Sequence, residues 1–111
     1  MKIQKKIIIS HLFDSDQRLL TYLFEEPLSL NLRTHPNLIK AEVWELTSEQ
    51  QTLVLSALDI WNGSGNVFLS DLLNNLETRN LYRLILALKD CHDLKTKCEQ
   101  FNPNKRSQNY E

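Results

Sequence analysis

LSLNLRTHPNLIKAEVWEL, residues 28–46, can be read in two ways, and the choice decides whether the chain carries a sheet. Leu28, Leu30 and Leu32 alternate with Ser29, Asn31 and Arg33, the period-two pattern of a strand with one buried face. Thr34 to Asn37 has turn chemistry around His35 and Pro36, and Val43 and Trp44 suit a returning strand over residues 38–45. The rival is a helix beginning at Pro36, since proline is tolerated in a first turn and Ile39, Val43 and Leu46 fit the helical period. We take the hairpin. Further upstream, residues 2–9 hold Ile3, Ile7, Ile8 and Ile9, a β-branched cluster that favours a third short strand. The expected fold is therefore helix-rich α+β, with a small antiparallel sheet from residues 2–9, 28–33 and 38–45. An all-α bundle is the alternative if the segment from Pro36 is helical.

Helical signals flank this stretch on both sides. Asp14, with Gln17 three residues on, is placed to cap a helix over 15–25 carrying Leu19, Leu20, Leu23 and Phe24, which Pro27 stops. Thr47 and Gln50 match the capping-box pattern, in which each side chain satisfies a backbone amide left orphaned at a helix start. Val54, Ala57, Leu58 and Trp61 then recur at helical spacing, widened by Leu53 and Ile60, predicting a helix over 48–61. Gly63 reads as its left-handed cap, and the chain's two glycines, Gly63 and Gly65, read as supplying positive φ for a tight reversal. After an extended Val67–Leu69, helices are expected over 70–76 and 78–98. The last has an apolar face of Leu81, Leu84, Ile85, Leu88 and Cys91, continued by Leu94, Cys98 and Phe101. Pairs four apart (Lys89 with Asp93, Asp93 with Lys97, Lys95 with Glu99) support its solvent side. Residues 1–101 read as one globular domain, and residues 102–111, without apolar periodicity, as a disordered tail.

Composition narrows the function classes. Among 111 residues, leucine at 21 positions provides ample core without metal or disulfide staples. Thirteen Lys and Arg against 14 Asp and Glu leave no basic surplus of the kind that binds nucleic acid or anionic membranes. Cys91 and Cys98, seven apart on one helix, have Cα atoms about 10.5 Å apart, too far to bridge. The N-terminal apolar run of three isoleucines is too short for a signal-peptide core, so the expected location is cytoplasmic.

Two resemblances overlap the glycine loop. Asn62 to Asp71 resembles part of an EF-hand calcium loop: Gly65 takes the turn position, Asn62 and Ser64 ligand positions, Val67 the apolar position and Asp71 the last. The first ligand position falls on Ile60, which has no oxygen to offer, so no metal is expected. Residues 47–90 resemble a helix-turn-helix domain, which implies a DNA-binding regulator reading bases with Arg79, Asn80 and Arg83. Residues 47–99, however, carry five basic and seven acidic side chains, poor for phosphate contact.

No phosphate-cradling loop, Ser-His-Asp order or dinucleotide fingerprint is present, and His92 beside Cys91 points about 100° away from it on a helix, so no catalytic residue or cofactor is expected. Asp14 and Asp16 read as caps, and Cys91 as a core thiol. The aromatic residues suggest instead a partner surface. Tyr82 and Leu86, four apart and off the main stripe, widen the apolar arc of the last helix beyond what one buried side needs. The expected function is a non-enzymatic protein-interaction module, a regulator, adaptor or inhibitor, self-associating through the last helix, with Trp61, Tyr82 and Leu86 as the partner-binding residues.

Overall fold

The computed structural model describes residues 2–26 and 28–100, the last four as backbone. It is all-helical: α1 (Lys2–Leu12), α2 (Leu20–Leu23) behind a 3₁₀ turn (Gln17–Leu19), α3 (Pro36–Glu42) continued by a 3₁₀ turn (Val43–Glu45), α4 (Ser48–Asn62), α5 (Leu69–Asn75) and α6 (Thr78–Gln100). Among the described residues there is no strand, so the expected sheet is replaced by the all-α alternative.

Each misread strand has a physical cause. Residues 2–9 fall within α1, where Ile8, Ile9, Leu12 and, just beyond, Phe13 are buried at helical spacing against α4 and α6. A β-branched residue costs a helix a few tenths of a kcal/mol, whereas burying an isoleucine yields about 1.5–3 kcal/mol; burial wins. Residues 38–45 form α3 and its 3₁₀ extension. Pro36 sits in the first turn, the His35 ring accepts the Asn37 amide through Nδ1 at 3.1 Å, and Ile39 and Val43 face the core one turn apart.

Residues 28–33 are irregular. The leucines do not share one buried face: Leu28 is 92% exposed, whereas Leu32 is half-buried against the core. The segment is tied to the end of α2 and not to a ladder: the Arg33 amide donates to the Leu23 carbonyl at 2.7 Å, and its guanidinium to the Tyr22 carbonyl at 3.3 Å and to Glu42. Lys6 of α1 holds the preceding residues, its ammonium 4.4 Å from the centre of the Phe24 ring and donating to the Glu26 carbonyl at 3.3 Å.

The expected helix over 15–25 is shorter. Asp16 and not Asp14 caps it, accepting the Arg18 amide at 3.2 Å, while the Gln17 side chain turns back to the Ser10 and Phe13 carbonyls. Asp14 lies 3.6 Å from Arg83 of α6 instead. Pro27, the Cys98 side chain, the pairings of Lys97 and Glu99, Phe101 and the tail 102–111 lie outside the described residues; Lys89 and Asp93 are paired at 3.0 Å.

The second half follows the sequence closely. Thr47 and Gln50 form the capping box, with reciprocal bonds of 3.2 and 3.1 Å. α4 is the central helix, touching α1, α2, α5 and α6, which is why buried Leu53, Val54, Ala57, Leu58 and Trp61 spread over more than one face. Phe24 meets Trp61 edge to face, with centroids 5.0 Å apart and planes at 78°. Among the described residues, no helix is long and apolar enough to cross a membrane.

Candidate functional site

α6 turns a face centred on Asn80, Leu84 and Ala87 into the protein, and Cys91 continues it half-buried. The apolar arc is wider than this face. Tyr82 remains 63% exposed and Leu86 45% exposed, with Ile85 and Leu88 also largely in solvent. Tyr82 and Leu86 are one turn apart on the same outer side, as their spacing requires. Leu86 borders a shallow groove of about 110 Å³ between α1 and α6, shared with Ile8, His11, Arg83 and Asp90.

Trp61 does not belong to that surface. It is 9% exposed, at the end of α4 against Phe24, so the structure brings together two of the three residues expected to bind a partner and places the third in the core. Its position on the buried stripe was visible in the sequence and explains it fully.

The residues of the DNA-reading alternative are dispersed in role. Asn80 is 7% exposed and its amide oxygen accepts from the Ser15 hydroxyl at 3.3 Å, tying α6 to the loop after α1. Arg83 turns to Asp14 and Asn80. Arg79 alone of the three is on the open surface.

The glycine loop is organised by Asp59, to which neither motif gives a role. Its Oδ1 accepts the amides of Gly65 and Asn66 at 2.8 and 3.0 Å, and Oδ2 that of Val67 at 2.9 Å. The sequence did carry a signal: an acid in the last turn of a helix opposes the helix dipole, and such a residue needs donors nearby. The two glycines serve different ends. Gly63 caps α4 with φ of +77°, but the other left-handed position is taken by Asn66, at φ of +59°. Gly65 is needed for room, because a Cβ there would lie 1.9 Å from the Leu55 carbonyl oxygen. The would-be calcium ligands are engaged within the loop and the next helix: Asn62 accepts the Ser64 amide at 3.1 Å, and Asp71 the Phe68 amide at 3.0 Å. Among the described residues, no group of three or more His, Cys, Asp or Glu is placed to hold a metal.

The other flank of α6 carries a feature no motif announced, a cavity of about 530 Å³ bounded by α1, α4, the glycine loop, α5 and α6. Its walls include Ile60, Val67, Leu72, Leu84, Leu88 and Leu94, with Lys5, Lys95 and Asp59 as its charged residues. Cys91 also lines it. Burial pushes the Cys91 thiol above its ordinary value, with Lys5 pulling weakly the other way. Less thiolate is therefore present at neutral pH, and thiolate is the reactive form. Peptide-resolved iodoacetamide labelling at pH 7.5 is expected to modify Cys91 several-fold more slowly than in the urea-unfolded chain; equal rates would contradict the burial argument.

Comparison with protein-family models, with curated proteins and with solved structures finds no match to the chain. The fold and surface define a small all-helical protein with an uncovered apolar helix face.

Proposed function

We propose that the chain is a non-enzymatic protein-interaction module, a regulator, adaptor or inhibitor, that self-associates through the outer face of α6. The observation that carries this reading is the exposure of Tyr82 and Leu86 side by side on a helix that already buries Asn80, Leu84 and Ala87 on another face. Exposed large apolar side chains set together are the usual signature of a surface that another chain covers. Arg83 and Asp90, of opposite charge, flank Leu86 along the same groove, which suits the polar rim of such a contact. A two-fold pairing would bring the same face of each copy together.

Light scattering at micromolar concentration tests the proposal. The wild-type chain is expected to exceed the 13.0 kDa of one copy. Leu86→Asp, at a position already 45% exposed, should return it to the monomer without unfolding it. A 13.0 kDa species in both proteins would remove self-association. The DNA-binding alternative draws no support from a buried Asn80 and an Arg83 turned to Asp14. A gel shift on mixed duplex at low salt, where weak phosphate contacts are strongest, is expected to show no retardation.

A further inference from the structure

The cavity on the inner flank of α6 has the dimensions and chemistry of a ligand site, and it does not depend on the outer face that Tyr82 and Leu86 form. At about 530 Å³ it falls within the range of small-molecule pockets. Its walls are aliphatic: Ile60, Leu72, Leu84, Leu88 and Leu94 contribute, and none of its described lining residues is aromatic. Such walls suit a flexible alkyl chain better than a flat ring, which would gain from stacking partners.

The polar groups select the other end of the ligand. Two cations, Lys5 of α1 and Lys95 of α6, line the cavity, and Lys5 is in no ion pair among the described residues; Glu99, four residues beyond Lys95, has its side chain outside them. Among the described residues the Lys5 ammonium donates one hydrogen bond, to the neutral Trp61 carbonyl at 3.3 Å, which leaves its positive charge in place. The lining carboxylate, Asp59, already accepts three backbone amides. Lys95 lies one turn beyond Cys91, and Lys5 is close enough to influence the Cys91 thiol, so both cations sit towards the same stretch of α6. A second observation points the same way. Ser56, on α4, contributes to the cavity wall and is 4% exposed, yet among the described residues its hydroxyl has no hydrogen-bond partner. A buried hydroxyl left unpaired is destabilising, a cost that a ligand acceptor would remove.

We infer that this cavity binds a medium-chain aliphatic carboxylate, its alkyl chain along the leucine walls and its head group held by Lys5 and Lys95, with the Ser56 hydroxyl donating to a carboxylate oxygen. Both lysines and the serine come from different helices, so the head-group site exists only when α1, α4 and α6 are assembled. Binding of this kind orders no new backbone and requires no covalent step.

Isothermal titration of the full chain with dodecanoate, below its micelle-forming concentration, is the direct test. Saturable binding is expected, at least tenfold weaker for dodecan-1-ol, which has the same chain and no charge. Lys5→Gln combined with Lys95→Gln should weaken dodecanoate at least tenfold without moving the melting temperature appreciably, and Ser56→Ala should weaken it several-fold. Bound dodecanoate should also protect Cys91 from iodoacetamide in peptide-resolved labelling. The assignment is overturned if dodecanoate gives no saturable binding, if dodecan-1-ol binds equally well, or if the double lysine variant binds as the wild type does. Unaltered affinity in Ser56→Ala would overturn the placement of the head group at that hydroxyl.

Discussion

Gly65→Ala is expected to cost about 3–5 kcal/mol, a large share of the roughly 5–15 kcal/mol that holds a domain of this size together. The added methyl would sit 1.9 Å from the Leu55 carbonyl oxygen, 2.9 Å from the Leu55 carbonyl carbon and 3.0 Å from Cγ of Asp59. Two of those atoms are backbone in the middle of α4, the helix that touches most of the others, and they cannot yield without breaking it. The loop must therefore lift away, and in lifting it withdraws the amides that Asp59 holds. Gly63→Ala provides the contrast. Nothing lies within 4 Å of a Cβ there, and the penalty is the left-handed backbone at φ of +77°, about 1–2 kcal/mol. Urea unfolding followed by circular dichroism should order the variants wild type, Gly63→Ala, Gly65→Ala. A Gly65→Ala protein within about 1 kcal/mol of wild type would show that the loop does not rest on α4 as described.

That pair of glycines also shows what the sequence could and could not reveal. Both are legible as a turn, and the turn is where it was expected. Which glycine serves conformation and which serves clearance depends on the distance to Leu55, ten residues earlier, and no local pattern encodes it. The same division runs through the chain. α4, α5 and α6 are readable because their caps, periodicity and stops are local and agree with one another. In α1 and α3 local β-propensity, worth tenths of a kcal/mol, is overridden by burial of Ile8, Ile9, Ile39 and Val43 against helices distant in sequence. Leu28, Leu30 and Leu32 alternate without a sheet to alternate for. At the candidate site, the excess apolar width of α6 was visible in Tyr82 and Leu86, since one helix carries both. The cavity was not, because its walls come from α1, α4, α5 and α6 together.

Replacement of Asp59 should be the other severe change, at about 2–4 kcal/mol, and the identity of the replacement separates its causes. Charge-assisted hydrogen bonds are each worth about 1.5–3 kcal/mol; three of them in a partly exposed loop contribute less than their sum. Asp59→Ala removes all three acceptor contacts and returns some dipole energy at the α4 C-terminus, about 0.3–1 kcal/mol, so its net cost remains large. Asp59→Asn keeps the shape but only one acceptor oxygen. If that oxygen serves Gly65 and Asn66, the side-chain NH₂ faces the Val67 amide, donor against donor; if it flips, two amides lose their acceptor in place of one. Asparagine should therefore recover less than half of the loss caused by alanine. Because Val67 and Leu72 wall the cavity just beyond this loop, both variants should also weaken dodecanoate binding under conditions where they remain folded. An Asp59→Asn protein with wild-type stability would mean that the carboxylate's second oxygen is dispensable and that the loop is held by packing alone.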